Sequence, residues 1–314
     1  MSSITAEALD KREEHSLKQL IAGIQLGYGI PTLLLMLYLF FHLGWNPKYK
    51  NSFYRLVQVD LLINMLFWIS SWFVVRSLDF PSGIEFIKAM ENSIPGIFDI
   101  SGFFVLVFYH MQFCSAASMS VHRISSILFF SKYERFWSRF YLLVYLCFAI
   151  YSCIPQFLGP AMTLKVVNNT ACLYIDHELY FISVRNFAIL TVIYFCLIFG
   201  LAITVACTAC KKLQDTIAAD QGVSRKLTKI AMTYGYVYSG LLIWTGGHMS
   251  QYIFNVPQEV IEIGYSLMSL AMDMMTLSLP YILLIFDTNI KQDLRHPRQS
   301  SASAANAVAP SLST

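Results

Sequence analysis

The chain has 314 residues, of which 56% are hydrophobic and 13% are charged, and its formal net charge at pH 7 is +3. A soluble globular domain carries about 25% charged residues, so this sequence has too few charges to cover a water-facing surface. The composition therefore predicts a protein whose main solvent is lipid, and the small net charge does not indicate a nucleic-acid partner.

Seven apolar stretches are long enough to cross a bilayer, for which a helix needs about 20 mostly apolar residues. In chain order, we predict membrane-spanning helices at residues 20–43, 53–75, 97–125, 138–160, 186–210, 228–252 and 260–286. The predicted fold class is an all-α membrane protein, a seven-transmembrane helix bundle. Residues 1–19 form a polar tail of mixed charge before the first span, so no cleavable signal peptide is expected.

Lysine and arginine predict the orientation of the bundle, because they are enriched in cytoplasmic loops. Fifteen of the 22 such residues fall in one set of connections and in the C-terminal tail, which we therefore place in the cytoplasm, with the N-terminal tail outside. The other seven, Arg76 among them, are assigned to the outer side. A glycosylation sequon begins at Asn168, after the fourth predicted helix, and agrees with this orientation.

Residues 287–314 are predicted to form a cytoplasmic tail. Its first part suits a short amphipathic helix along the inner leaflet, with Ile290 and Leu294 toward lipid and basic residues toward the headgroups. The Ser/Ala-rich stretch after Pro297 lacks apolar periodicity and is predicted to be disordered.

Three classes of protein fit this topology: a ligand-sensing receptor, a retinal protein and a transporter. A retinal protein needs a lysine in its last helix for the Schiff base, and residues 260–286 contain none. A repeat-based transporter should show similarity between its first and last three helices, which is not seen. Dispersed histidines argue against an enzyme, and no cysteine spacing predicts a metal or a cofactor. A receptor is favoured, and the alternative is a transporter or channel-like protein without G-protein coupling.

Two motifs carry a family resemblance. The stretch NPKYKNSFYRLVQVDLLINMLFWISSW, from Asn46 to Trp72, resembles the first inner loop and second helix of the nematode serpentine receptors of class gamma. The stretch SVHRISSILFFSKYERFWSRF resembles the end of their third helix. The resemblance implies a seven-helix chemoreceptor in the plasma membrane of sensory neurons, in their cilia, which binds a small-molecule ligand and signals through a heterotrimeric G protein.

The predicted inner end of the third helix offers a surface for that G protein. By analogy with rhodopsin-like receptors, Arg123 would face the bundle and meet the G protein when the inner side opens, and Phe130 would insert an apolar side chain. The alternative is that Arg123 extends to the headgroups. The full predicted G-protein face is Arg123, Ile127, Phe130, Lys132, Arg135, Lys211, Lys212, Arg225 and Lys226.

His122 stands before Arg123, where rhodopsin-like receptors have an acid that holds the arginine. Asp60 lies about 10 Å into the second predicted helix, where a carboxylate must face inward and have a partner. We therefore predict an inner lock between Asp60 and Arg123. The alternative is that Asp60 only hydrogen-bonds to polar neighbours such as Asn64, which shares its helix face.

A ligand pocket is predicted between the outer halves of the third, fifth, sixth and seventh helices. Its mostly aromatic lining with few charges suits a small, weakly polar ligand. The candidate residues are Asp99, Val105, Tyr109, Gln112, Trp244, His248, Tyr265 and Asp273. Cys172, in the outer loop, is expected to be a free thiol, and a disulfide with Cys153 is the alternative.

Overall fold

Long helices form most of the chain in the computed structural model. The structure describes residues 2–5, 16–77, 80–129, 132–155, 162–167, 170–175, 177–215, 233, 237 and 258–295. Within these residues, six helices are long and apolar enough to cross a membrane. The predicted helix 228–252 lies outside the described residues, apart from two single positions.

The spanning helices follow the predicted apolar runs. They are α1 (Ser16–Trp45), α2 (Ser52–Ser71), α4 (Ile97–Leu128), α5 (Tyr133–Cys153), α6 (His177–Asp215) and α7 (Gln258–Phe286). The backbone of α2 continues into a π-helical turn, Trp72–Arg76. Asn51 begins α2 as its N-cap, because its side-chain oxygen accepts a hydrogen bond from the backbone N–H of Tyr54.

Side-chain contacts define the direction of each helix. Gln25 and Tyr28 of α1 contact Ser269 and Asp273 of α7 in the same order, so these two helices run parallel. Likewise, Tyr109 and His110 of α4 contact Thr191 and Tyr194 of α6. In contrast, Ser115 contacts Tyr145 and Ser125 contacts Trp137, so α4 and α5 run antiparallel, as a short connection requires.

A small three-stranded antiparallel sheet lies at one end of the bundle, and the sequence analysis did not predict it. Its strands are β1 (Ser2–Thr5), β2 (Met162–Val167) and β3 (Thr170–Ile175), in the order β1-β3-β2. Ser2 pairs with Ile175 and Thr5 with Cys172, so the N-terminal strand lies against the connection between α5 and α6. We call this the sheet end of the bundle.

A helix that the sequence analysis missed, α3 (Pro81–Ser93), joins α2 to α4 at the sheet end and packs against β2 and β3. Pro81 occupies its first turn, where the missing N–H costs nothing. The Glu91 carboxylate accepts hydrogen bonds from the backbone N–H groups of Gly96 and Phe98, at the start of α4. This carboxylate fixes the turn, and Gly96 has φ +85°, a conformation that favours glycine.

The opposite end of the bundle carries a 3-10 turn, Pro47–Tyr49, and a short helix, α8 (Thr288–Arg295). We call it the α8 end. Asp287 begins α8, because its Oδ1 accepts a hydrogen bond from the backbone N–H of Asn289 at 2.9 Å. The prediction that Ile290 faces lipid is wrong, because its side chain is fully buried in the core. The hydrogen bond between Asp287 and Asn289 orients the Ile290 face of α8 toward the bundle.

Gly29 of α1 allows the close approach of Trp68 from α2. A Cβ atom at Gly29 would lie 2.5 Å from Cζ2 of Trp68, whereas a Cβ atom at Gly27 would meet nothing within 4 Å. We expect Gly29→Ala to lower the free energy of unfolding by about 1–3 kcal/mol through overpacking. Gly27→Ala is the matched control and should be neutral or slightly stabilising. Thermal unfolding of the purified protein in detergent measures both, and equal effects would contradict the predicted overpacking.

Candidate functional site

A buried ion pair joins α2 to α7 in the sheet half of the bundle. Nη2 of Arg76 lies 2.6 Å from Oδ1 of Asp273, and both side chains are almost fully buried. The same Nη2 donates to the backbone oxygen of Ser269 at 3.3 Å, and the Tyr28 hydroxyl of α1 donates to Oδ2 of Asp273 at 2.8 Å. Three helices therefore meet at one carboxylate.

The π-helical turn positions Arg76 at this site. In such a turn the backbone hydrogen bonds close over five residues instead of four, so one extra residue is accommodated and the following side chains are rotated. Arg76 is only 4% exposed and lies over the Trp72 ring, with its Cζ 5.4 Å from the ring centroid. The sequence analysis counted Arg76 with the connections between helices, whereas the structure places it in the extended helix and inside the sheet half of the bundle.

A second polar cluster lies at the centre of the bundle. Nε2 of Gln112, on α4, donates to Oδ1 of Asn64 at 2.6 Å and to Oγ1 of Thr276 at 3.1 Å. Nδ2 of Asn64 donates in turn to Oδ2 of Asp60 at 3.0 Å. These four side chains are fully buried, so the hydrogen bonds between them link α2, α4 and α7 where water is excluded.

Aromatic hydroxyls connect α4 to its neighbours in the sheet half. The Tyr109 hydroxyl lies 2.9 Å from the Thr191 hydroxyl, and Nδ1 of His110 lies 2.9 Å from the Tyr194 hydroxyl. Tyr194 also lies 3.0 Å from the hydroxyl of Tyr151, on α5. These contacts satisfy the polar ends of large side chains and define one wall of the sheet half of the bundle.

At the α8 end, Arg123 faces the bundle. It is only 5% exposed, its Cζ lies 3.5 Å from the centroid of the Phe53 ring, and its Nη2 has no hydrogen-bond partner among the described residues. Nearby, the Tyr54 hydroxyl donates to Oδ2 of Asp287 at 2.6 Å. The C-terminal end of α7 is therefore connected to α2 next to the arginine.

At the α8 end, a carboxylate of α5 caps the start of α2. The Glu134 carboxylate accepts hydrogen bonds from the backbone N–H and the hydroxyl of Ser52, at 2.7 Å and 2.5 Å. The Ser52 hydroxyl also lies 2.8 Å from Nε2 of His122. A carboxylate at the start of α2 is favourable, because the first N–H groups of a helix are unsatisfied and its N-terminal dipole is positive.

The 3-10 turn clamps α8 through Asp293. Oδ2 of Asp293 accepts a hydrogen bond from the Tyr49 hydroxyl at 2.6 Å, and Oδ1 accepts one from Nζ of Lys48 at 3.1 Å. Burial raises the pKa of Asp293, but these hydrogen bonds and the charges of Lys48 and His42 outweigh it, so its pKa lies below the usual value. The pKa of Tyr49 is raised by burial and by the hydrogen bond to Asp293, so Tyr49 stays a donor.

Asp293→Asn should lower the free energy of unfolding at pH 7 by about 1.5–3 kcal/mol, since hydrogen bonds to a charged group are weakened. The pKa of Asp293 is lowered by folding, so its stabilisation is complete above the unfolded pKa of about 3.9 and is lost as the pH falls through the folded value. The melting temperatures of the wild type and of Asp293→Asn should therefore converge only below about pH 4. The exposed Glu85 pairs with Lys88, and Glu85→Gln should change little at any pH. A constant gap between Asp293→Asn and the wild type down to pH 3 would contradict the expected titration.

The structure describes the side chains of five of the eight predicted pocket residues, and the pocket stays a prediction. Gln112 and Asp273 lie in the two buried polar clusters, one helical turn apart along α7, because Gln112 contacts Thr276. Tyr109 contacts α6, Val105 packs against the core, and Asp99 is exposed in the first turn of α4. Trp244 and His248 lie outside the described residues. The backbone of Tyr265 belongs to α7, but its side chain also lies outside them.

The predicted G-protein face is described only in part. Arg123 and Ile127 are buried, whereas Lys132 and Arg135 are exposed at the start of α5. Lys211 and Lys212 belong to the last turns of α6, and their side chains lie outside the described residues, as do Phe130, Arg225 and Lys226. Asn168 of the sequon also lies outside them, between β2 and β3. The sulfur of Cys153 is a free thiol, and the side chain of Cys172 lies outside the described residues.

The inner lock between Asp60 and Arg123 stays a prediction. Asp60 contacts Asn64, and Arg123 lies against the ring of Phe53. Phe53 and Asp60 belong to the same helix, seven residues or about 10 Å apart. Arg76 was not predicted as a site residue. The sequence does contain a signal that could have identified it: an arginine at the end of one apolar run and an acid, Asp273, within another.

Comparison with known proteins agrees with this architecture. The family described as Srg family chemoreceptors matches residues 22–294. Serpentine receptor class gamma-47 of Caenorhabditis elegans is 32% identical over 272 residues, which cover 86% of this chain and 88% of the relative. Serpentine receptor class gamma-53 of the same species is 30% identical over 282 residues, which cover 88% and 91%. The chain therefore belongs to the Srg family of seven-transmembrane chemoreceptors and is a multi-pass membrane protein.

Proposed function

We propose that this chemoreceptor lies in the plasma membrane with its sheet end outside, binds a small molecule in the sheet half, and activates a heterotrimeric G protein at the α8 end. Sensory cilia are the proposed location. The observation that supports the signalling step is Arg123, a buried arginine whose Nη2 has no hydrogen-bond partner among the described residues. A buried donor of this kind gains a partner when a cytoplasmic protein enters.

The two ends of the bundle suit these different tasks. At the sheet end, α2 and α7 are joined by Arg76 and Asp273, and a ligand that contacts this pair would change the position of α7. At the α8 end, α7 continues through Asp287 into α8, next to Arg123. A ligand that binds one arrangement of α7 better than the other shifts the population toward it.

The test is a calcium or second-messenger readout in cells that express the receptor, screened with small odorants and matched to cells without the receptor. We expect a ligand-dependent signal that is lost when the G protein is inhibited. The orientation is tested with a fluorescent tag at the C-terminus, which should be inaccessible from outside. A ligand-dependent flux in proteoliposomes without any G-protein signal would instead support a transporter.

A further inference from the structure

Three buried nitrogen donors on α2 and its π-helical turn have no hydrogen-bond partner among the described residues. They are Nε1 of Trp68, Nε1 of Trp72 and Nη1 of Arg76. Trp68 is 5% exposed and Arg76 is 4% exposed, while Trp72 is half-buried. The ion pair with Asp273 is made through Nη2 of Arg76, so Nη1 takes no part in it.

These donors belong to one continuous stripe. The rings of Trp68 and Trp72 are 5.6 Å apart, and Cζ of Arg76 lies 5.4 Å from the ring centroid of Trp72. Trp68 packs on Gly29 of α1, and Arg76 reaches α7. We call Trp68, Trp72 and Arg76 the donor stripe, and it follows α2 along its junction with α1 and α7.

An unsatisfied buried donor costs about 1–3 kcal/mol, and buried N–H groups are rarely left in this state. The bilayer interior offers no water to a spanning segment, so water cannot supply the hydrogen-bond acceptors that these three neighbouring donors lack. The indole rings also offer apolar faces. The stripe therefore matches a molecule with an apolar body and at least one hydrogen-bond-accepting oxygen.

The charge of the Arg76–Asp273 pair determines which of these molecules can bind. The positive charge of Arg76 is already balanced by Asp273 at 2.6 Å, so a carboxylate ligand would add a second, uncompensated negative charge in a buried place. We propose that the donor stripe binds a neutral, oxygen-bearing small molecule, of the ketone, ester or lactone class, between α1, α2 and α7. This inference rests on the proposed function, since it names the ligand class of the receptor.

Indole N–H resonances test the proposal directly, with receptor labelled with ¹⁵N-tryptophan and reconstituted in lipid nanodiscs. Trp68→Phe and Trp72→Phe assign the two signals. The probes are C5–C10 ketones, esters and lactones, with heptane as the control without an acceptor and heptanoate as the charged control. Trp137 is an internal control, because its Nε1 already donates to the Ser125 hydroxyl at 2.8 Å.

We expect at least one neutral probe to shift the Trp68 or Trp72 proton resonance downfield, with saturation, while Trp137 stays in place and heptane has no effect. The double variant Trp68→Phe/Trp72→Phe should bind that probe about tenfold more weakly, the loss expected from about 1.4 kcal/mol. Three results would overturn the proposal: no shift with any neutral probe, a larger shift with heptanoate, or hydrogen-bonded indole positions before any probe is added.

The failure of this inference can be told apart from the failure of the proposed function. If a ligand drives G-protein signalling and the double variant keeps the same potency, the donor stripe is not the ligand site, although the receptor function stands. If neutral probes bind at the stripe and no signal follows in cells, the ligand class stands and G-protein signalling does not.

Discussion

Asp273→Leu should lower the free energy of unfolding by about 3–5 kcal/mol, the largest loss that we expect from a single substitution in this receptor. The substitution leaves the buried guanidinium of Arg76 without its counter-charge, and the penalty for an unpaired buried charge exceeds the loss of the pair itself. The Tyr28 hydroxyl also loses its acceptor. The measurement is thermal unfolding in detergent together with the yield of monodisperse protein.

A double variant separates charge from packing. Arg76→Met/Asp273→Leu replaces the ion pair with apolar side chains and should recover most of the lost stability, because a well-packed apolar pair is often as stable as a buried ion pair. If the double variant is as unstable as Asp273→Leu alone, the loss comes from packing around α7 and not from the unpaired charge of Arg76.

Arg123→Gln should reduce G-protein activation by at least about 30-fold while the receptor still reaches the cell surface. Truncation of a buried charged group at a protein interface typically costs about 2–5 kcal/mol, and 2 kcal/mol corresponds to this factor. The measurement is GTP exchange on a co-expressed G protein, either basal or agonist-driven, normalised to surface expression.

Arg55→Gln is the matched control for this experiment. Arg55 is another arginine of the α8 end, but it is only half-buried, and its guanidinium lies over the Tyr141 ring and contacts the backbone oxygen of Ser138. We expect its removal to change GTP exchange less than threefold, as for a partly exposed charge. Normal exchange in Arg123→Gln, with folded receptor at the surface, would remove Arg123 from the signalling face.

The sequence predicted the spanning helices because apolar length is a strong local signal. It began the fourth span at 138, whereas α5 begins at Tyr133, since Lys132 and Arg135 were counted with the basic connections. The structure shows that Glu134, in the first turn of α5, accepts hydrogen bonds from Ser52 at the start of α2. The short α3 was missed because thirteen residues are too few for a span. In the sheet, only β1 pairs over a long sequence distance, whereas β2 and β3 form a local hairpin in which Val167 pairs with Thr170.

The polar sites were harder to predict, because their partners lie far apart in the chain. Asp273 and Gln112 were recognised as candidate residues, but nothing in their spacing indicates Arg76 or Asn64 as partners. The π-helical turn that carries Arg76 into the bundle has no pattern of its own in the sequence. Single polar residues could therefore be recognised in the apolar runs, whereas their pairing required the folded chain.

Asp287 has a consequence for the resting activity of the receptor. One of its oxygens starts α8 and the other accepts the Tyr54 hydroxyl, so the end of α7 cannot leave α2 without losing that hydrogen bond. A hydrogen bond to a charged group contributes about 1.5–3 kcal/mol, and every 1.4 kcal/mol is a factor of ten in an equilibrium constant. If opening separates Tyr54 from Asp287, this one contact suppresses the spontaneous activity of the unliganded receptor by about 10- to 100-fold, and it sets the background above which a ligand-dependent signal must rise.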